Sequence, residues 1–282
     1  MVQREETIMN RITLGLATIL TLAFTQVTAQ DLNKGLEAYD AGDYATALQE
    51  LEPLAKQGNA IAQRKLGNMY KYGDGVLKDA TEAVKWYRLS AEQGNVLAQY
   101  FLGFMYDTGK GILQDDAEAV KWYQLSAEQG NAKAQLMLGF MYKNGNGVLK
   151  DYAEAVKWYR LSAEQGVAAA QNKLGIMYVS GNGVLKDYAE AVKWYRLSAE
   201  QGNAPAQNNL GLLYAKGDGV LQDYAEAVKW WRLATEQGDA GAQSWLGAMY
   251  EYGTGVLQNN LTAHMWYNIA SANGDKKAGG YR

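Results

Sequence analysis

Hydrophobic and polar positions along this chain recur with a period of 36 residues, far longer than the period of one helix or strand. Leu66, Leu102, Leu138, Leu174, Leu210 and Leu246 fall at that spacing, as do Trp86, Trp122, Trp158, Trp194, Trp230 and Trp266, with no insertion between copies. A fixed repeat of roughly 20 to 50 residues marks a solenoid, in which each unit buries its apolar face only by stacking on its neighbours. Within a copy, the first half sets Ala98, Leu102, Met105 and Tyr106 on one helical face. The second half sets Ala155, Tyr159, Ser162 and Ala163 on another, with Trp158 at its edge. Each copy is therefore predicted to be two helices of about a dozen residues.

The ends of these helices are written in the sequence as well. Asn59, Asn95, Asn131, Asn203 and Asp239 stand where a first-helix N-cap belongs, because a short side-chain oxygen accepts from the free N–H groups of the first turn. Val167 cannot do this and loses a contribution of about 1 kcal/mol. Asp151 followed by Glu154 resembles a capping box, and both charges suit the positive end of the helix dipole. Gly166 supplies a permissive stop. Gly109 and Gly111, like Gly145 and Gly147, are expected to take positive φ in the interhelix turn. Ala98, Gly103 and Ala119 let helix axes approach, while Tyr106, Trp122 and Tyr123 fill the gaps between layers. The eight Trp and twenty Tyr are thereby assigned mostly to a structural ladder.

The signature A-x-x-x-L-G-x-x-Y-x-x-G-x-G-V, then D-x-x-x-A-x-x-W-x-x-x-A-A-E-x-G-x-x-x-A, is followed through six copies: residues 59–94, 95–130, 131–166, 167–202, 203–238 and 239–274, the last degraded. These residues resemble the Sel-1-like repeat family, relatives of tetratricopeptide repeats with a slightly longer unit and a Gly-rich loop between the helices. The resemblance implies an all-α fold, a right-handed α/α superhelical solenoid, that family members use as a scaffold for protein complexes and that is frequently exported and bacterial. Residues 30–58 resemble a shorter tetratricopeptide-like unit, with Gly35-Leu36-Glu37-Ala38-Tyr39 leading through Gly42-Asp43 to Tyr44, and are expected to cap the N-terminal face. Pro53 lies in its second helix, where it removes one backbone hydrogen bond and is expected to kink the helix near Gln49. Residues 275–282 begin a seventh unit and read as a truncated tail. The last apolar face then calls for truncation, an end-to-end homodimer through the C-terminal repeat, or a partner.

The first 29 residues depart from the pattern. Arg11 precedes a 13-residue apolar run, Ile12 to Phe24, and Val27-Thr28-Ala29 follows as a small-residue cleavage pattern, so we read a signal peptide cut after Ala29. The run is shorter than the roughly 20 residues a spanning helix needs, so no permanent membrane anchor is expected. Glu5 and Glu6 are out of place ahead of such a run, and Met9 makes a more ordinary initiator. The absence of cysteine excludes disulfides, thiolate metal sites and thiol nucleophiles. With an export signal, this points to a periplasmic or secreted protein. A net charge of −3, from 27 basic and 30 acidic residues, favours no nucleic-acid partner.

Little in the sequence looks like reaction chemistry. His264 stands in a column that is valine in the five preceding copies, with no Asp, Glu or Cys near it in sequence. Gly109-Lys110-Gly111 has neither the spacing nor the preceding strand of a phosphate loop. Glu154 and Lys157 recur at i and i+3 as a solvated helix face with local ion pairs. The S-x-x-K, S-D-N and K-T-G elements of β-lactam enzymes, and the cysteines of family members bearing that label, are missing. The reading is therefore not an enzyme, with no cofactor and no metal.

Comparison of the copies locates a candidate partner site. Copies three and four are identical over 147–166 and 183–202, and differences concentrate on the first helix, on the side opposite the core stripe. In tetratricopeptide-like superhelices that side lines the concave groove. Copies two and three place Leu97, Tyr100, Phe104, Leu136 and Phe140 there, flanked by Arg64, Lys71, Lys133 and Lys143. An apolar centre with a charged rim suits a protein or extended peptide. The alternative is that Phe104 and Phe140 pack laterally between first helices. The leading expectation is an exported, non-enzymatic adaptor. Its competitors are a cell-envelope enzyme or a regulator of peptidoglycan or exopolysaccharide enzymes, and an immunity or host-interaction factor that binds one specific partner.

Overall fold

The computed structural model describes residues 31–275; the signal-peptide reading on 1–29 and most of the tail reading on 275–282 lie outside them. The described residues are helices joined by short turns. Residues 31–40 form α1, followed by α2 (Tyr44–Lys56), α3 (Ala60–Tyr72), α4 (Ala80–Glu92) and α5 (Val96–Thr108). Then come α6 (Asp116–Glu128), α7 (Ala132–Asn144), α8 (Tyr152–Glu164), α9 (Ala168–Ser180) and α10 (Tyr188–Glu200). The series closes with α11 (Ala204–Lys216), α12 (Tyr224–Glu236), α13 (Ala240–Tyr252) and α14 (Asn260–Ala272). The chain divides into two compact units, the first ending at Leu125 and the second beginning at Ser126.

The capping residues act as their chemistry dictates. The Asn59 carboxamide oxygen accepts from Ala62 N, Asn95 from Ala98 N, Asn131 from Ala134 N and Asn203 from Ala206 N, while Val167 makes no such bond. Asp151 accepts from Ala153 N and Glu154 N at the start of α8. The return half of a capping box does not form. The Asp151 N–H is already taken by the Tyr142 carbonyl at 2.9 Å, and Glu154 turns outward to Lys157 at 3.2 Å. Pro53 sits in the third turn of α2, and the helix runs through it to Lys56.

Each first helix meets the second helix of its own copy at a glycine. In the first unit, a Cβ added to Gly103 would lie 2.8 Å from Cδ1 of Tyr123, a ring that is itself fully buried. In the second unit the same relation holds between Gly139 and Tyr159, at 2.6 Å. The missing side chain is what lets a tyrosine ring lie flat on the helix backbone. Around these contacts the first unit packs Leu51, Leu66 and Met69 against Trp86, and Tyr87, Leu102 and Met105 in the next layer. The second unit packs Tyr159, Leu174, Met177, Tyr195 and Leu210 in one cluster.

A buried glutamine ties each copy to the one before it. Gln63 donates from Nε2 to the Ala55 carbonyl at 3.0 Å, near the end of α2, and accepts from Gln93 Nε2 at 2.7 Å. Gln171 repeats this with Ala163 O at 3.2 Å and Gln201 Nε2 at 2.8 Å. The Ser198 hydroxyl adds a bond to the Ala168 carbonyl at 2.7 Å.

Two substitutions test this packing. Ala normally exceeds Gly in a helix interior by roughly 0.5–1 kcal/mol, yet Gly139→Ala is expected to destabilise by about 1–3 kcal/mol through overpacking against Tyr159. Gln171→Leu keeps the apolar volume but breaks two interior hydrogen bonds, for an expected loss of about 1–3 kcal/mol. Urea melts of both variants read these values directly, and a stabilised Gly139→Ala would contradict the close approach.

Candidate functional site

The side of the first helices turned away from the glycine contacts carries the residues that differ between copies. In the first unit, Leu97 projects outward, 44% exposed. Tyr100 lies against Phe101 at 5.3 Å between ring centroids and against Tyr123 at 6.0 Å. Phe101 in turn stacks on Tyr87 at 5.1 Å. Phe104 is half-buried on the core cluster shared by copies one and two, with Lys71 Nζ 5.2 Å and Lys110 Nζ 5.4 Å from its ring centre. Arg64 is half-buried beside this cluster. Of the expected patch, the first unit thus holds Arg64, Leu97, Tyr100 and Phe104.

The other four expected residues belong to the second unit. Leu136 packs against the core cluster there, so its apolar surface is largely spent on folding. Phe140 is 40% exposed, Lys133 is exposed and Lys143 is half-buried. Phe104 therefore follows the packing alternative in part, at the junction of copies one and two, while Phe140 is 40% exposed.

Tyrosines under this face report its polarity. The Tyr87 hydroxyl donates to Asn68 at 2.8 Å, Tyr123 to Asp107 at 3.2 Å and Tyr267 to Glu251 at 2.7 Å. Burial raises the pKa of Tyr87 and Tyr123, and burial likewise lifts Asp107 against the lowering effect of the Tyr123 bond. In copy three the corresponding first-helix positions are Phe140 and Lys143, and the Tyr159 hydroxyl is buried with no hydrogen-bond partner.

Three features escaped the sequence reading. Phe101 joins the rings of the first unit, Asn209 donates to Asn172 at 3.1 Å in the second, and Trp245 stacks on Trp231 at 5.6 Å. Phe101, Asn209 and Trp245 share one column, with Lys65, Met137 and Lys173, so the variation between copies was the signal available. The isolation of His264 is also corrected: a recess of about 350 Å³ brings it together with Glu251 and Tyr267. Among the described residues, no group of three or more His, Asp or Glu side chains is placed to hold a metal ion. No described helix is long and apolar enough to cross a membrane.

Stacked helical hairpins with a regular ladder and a variable first-helix face define a repeat solenoid. The Sel1 repeat model matches residues 60–95, 96–131, 132–167, 168–203, 204–239 and 240–275, and the chain belongs to the Sel1 repeat family, whose members serve as protein-interaction scaffolds. It is similar to c5321, a protective antigen of uropathogenic Escherichia coli with this repeat fold, at 36% identity and a TM-score of 0.84 over 94% of this chain. The match spans 58% of the length of the Escherichia coli protein. A Sel1 repeat protein from Oxalobacter formigenes is 38% identical, with a TM-score of 0.77 over 85% of this chain and 96% of its own. No curated protein matches.

The tyrosine column supplies a paired test. Tyr123→Phe removes a bond to Asp107 and is expected to cost about 1 kcal/mol, leaving a half-buried carboxylate without its donor. Tyr159→Phe removes a hydroxyl that has no partner and is expected to be neutral or stabilising by about 1 kcal/mol. Thermal melts of the two variants should move in opposite directions or differ by several degrees; equal losses would refute the assignment.

Proposed function

We propose that this chain is an exported, non-enzymatic adaptor that binds a protein segment on the open face of its first helices. The observation that carries the reading is the unequal variation among the copies. Ladder, turn and cap columns change at few positions, while the first-helix face changes from copy to copy and in copy two becomes aromatic and apolar. Duplication alone would leave all columns alike, and packing constrains only those that face the core. In the first unit Leu97 stands out from a surface walled by Tyr100, Phe101 and Phe104, with Lys71 at its side. That is the makeup of a protein-binding surface, an apolar and aromatic centre edged by cations. In the second unit Phe140, with Lys133 and Lys143, offers a smaller surface of the same kind.

Leu97→Asp combined with Phe104→Ala is expected to weaken capture of a partner from envelope extract by at least about tenfold, as loss of a central contact does. Circular dichroism should show the same helix content as the parent, with a lowered melting temperature because Phe104 rests on the core while Leu97 is exposed. Unchanged capture by the folded double variant would refute the surface. Turnover of purified peptidoglycan or of a chromogenic β-lactam by the parent chain would refute the non-enzymatic reading.

A further inference from the structure

The first unit holds a positive charge that its own folding leaves unanswered. Arg64 occupies on α3 the position that Tyr100 occupies on α5, and it lies beside Tyr87 as Tyr100 lies beside Tyr123. The side chain is half-buried, and burial draws the guanidinium pKa below its ordinary value, with Tyr87, Tyr39 and Asp40 acting in the opposite sense. No carboxylate forms an ion pair with it among the described residues. Asp40 is engaged by Lys65 at 2.9 Å, and Asp74 accepts from the Tyr39 hydroxyl at 3.4 Å. Lys71, seven residues further along α3, likewise has no ion pair among the described residues. Its ammonium lies 4.7, 4.5 and 5.2 Å from the ring centres of Tyr72, Phe101 and Phe104, and donates to the Tyr72 hydroxyl at 3.0 Å.

A partly desolvated guanidinium with no counter-ion weakens a fold, so its presence needs a reason outside the fold. Arg64 and Lys71 are separated by roughly 10 Å along the helix axis, at about 1.5 Å per residue. Two single cations that far apart do not converge on one phosphate, which asks for several donors around one centre. They match two carboxylates on an extended polyproline II segment, which advances about 3.1 Å per residue with three residues per turn and so presents residues three apart on one face at roughly that separation.

We propose that this face takes an extended acidic segment of a partner protein, with Asp or Glu residues three apart meeting Arg64 and Lys71. An apolar residue between them rests on Leu97 and Tyr100. The proposal builds on the protein-binding reading of the same face and adds the charge that selects the partner. Arg64 presents a fork of N–H donors to one carboxylate, and Lys71 keeps its aromatic neighbours while meeting the second.

A peptide library displayed on phage and selected on the immobilised full chain tests this. The expected result is enrichment of sequences with two acidic residues three apart and an apolar residue between. The best such peptide, measured by fluorescence anisotropy, should bind the Arg64→Met chain at least about tenfold more weakly and lose affinity as salt rises. Removal of the unpaired charge should leave the melting temperature of Arg64→Met unchanged or raise it by roughly 2–4 °C. Enriched peptides without acidic residues, or bound equally by Arg64→Met but lost with Leu97→Asp, would overturn the acidic-segment proposal and leave the binding face standing. A clear drop in the melting temperature of Arg64→Met would also overturn it, by assigning Arg64 to the fold. Absence of any enriched peptide would overturn both readings.

Discussion

A buried glutamine amide holds the copies in register. Stacking apolar helices is a weakly directional interaction, and a Leu or Ala face accepts its neighbour at many offsets. The Gln63 and Gln171 amides do not. Each donates to a carbonyl in the last turn of the preceding second helix, one that also accepts from the glycine N–H just past that helix, and each accepts from the glutamine that ends the second helix of its own copy. Three helix ends are thus joined at one side chain, and a shift of one copy by a single residue would leave its amide unsatisfied in the interior. The glycine–tyrosine contact acts in the other direction, setting how closely the helices of one copy approach.

These two devices consume one side of every first helix and leave the other side unconstrained. A column that neither needs glycine beneath an aromatic ring nor relays an amide is open to change at little cost to the stack. That is where Lys65, Phe101, Met137, Lys173, Asn209 and Trp245 succeed one another. The repeat architecture separates specification of the fold from specification of a surface, which is why an almost uniform array presents different chemistry at each copy.

The period, the helix pairs, the Asn caps and the positive-φ turn glycines were legible because each depends on residues close in sequence. Asn95, Gly103 and Gly109 announce their roles within a single copy. The glutamine relay was not read, although Gln63 and its equivalents are among the most regular residues, because its partners lie 8 and 30 residues away on other helices. The candidate site was legible as a face but not as a set of contacts. Helical geometry placed Leu97, Tyr100 and Phe104 on one side, yet could not show that Phe101 stacks on Tyr87 or that Leu136 turns to the core. The return bond from Glu154 failed for a related reason, since the Tyr142 carbonyl, unseen in a local pattern, holds the donor it needed.

The tyrosine column shows that face and fold are still coupled at one point. Its ring belongs to the ladder, packed on glycine, while its hydroxyl reaches the positions that vary. Where the face offers Asn68, Asp107 or Glu251 the hydroxyl is satisfied, and where copy three offers Phe140 it is not. Making a copy's face apolar therefore costs its core about the worth of one buried hydrogen bond, on the order of 1 kcal/mol. An array of this length tolerates that cost in one copy because neighbouring interfaces share the load, but not indefinitely. The aromatic surface of copy two avoids it by keeping Asp107 beneath Tyr123, which makes copy two the place where an apolar face and a satisfied core coexist.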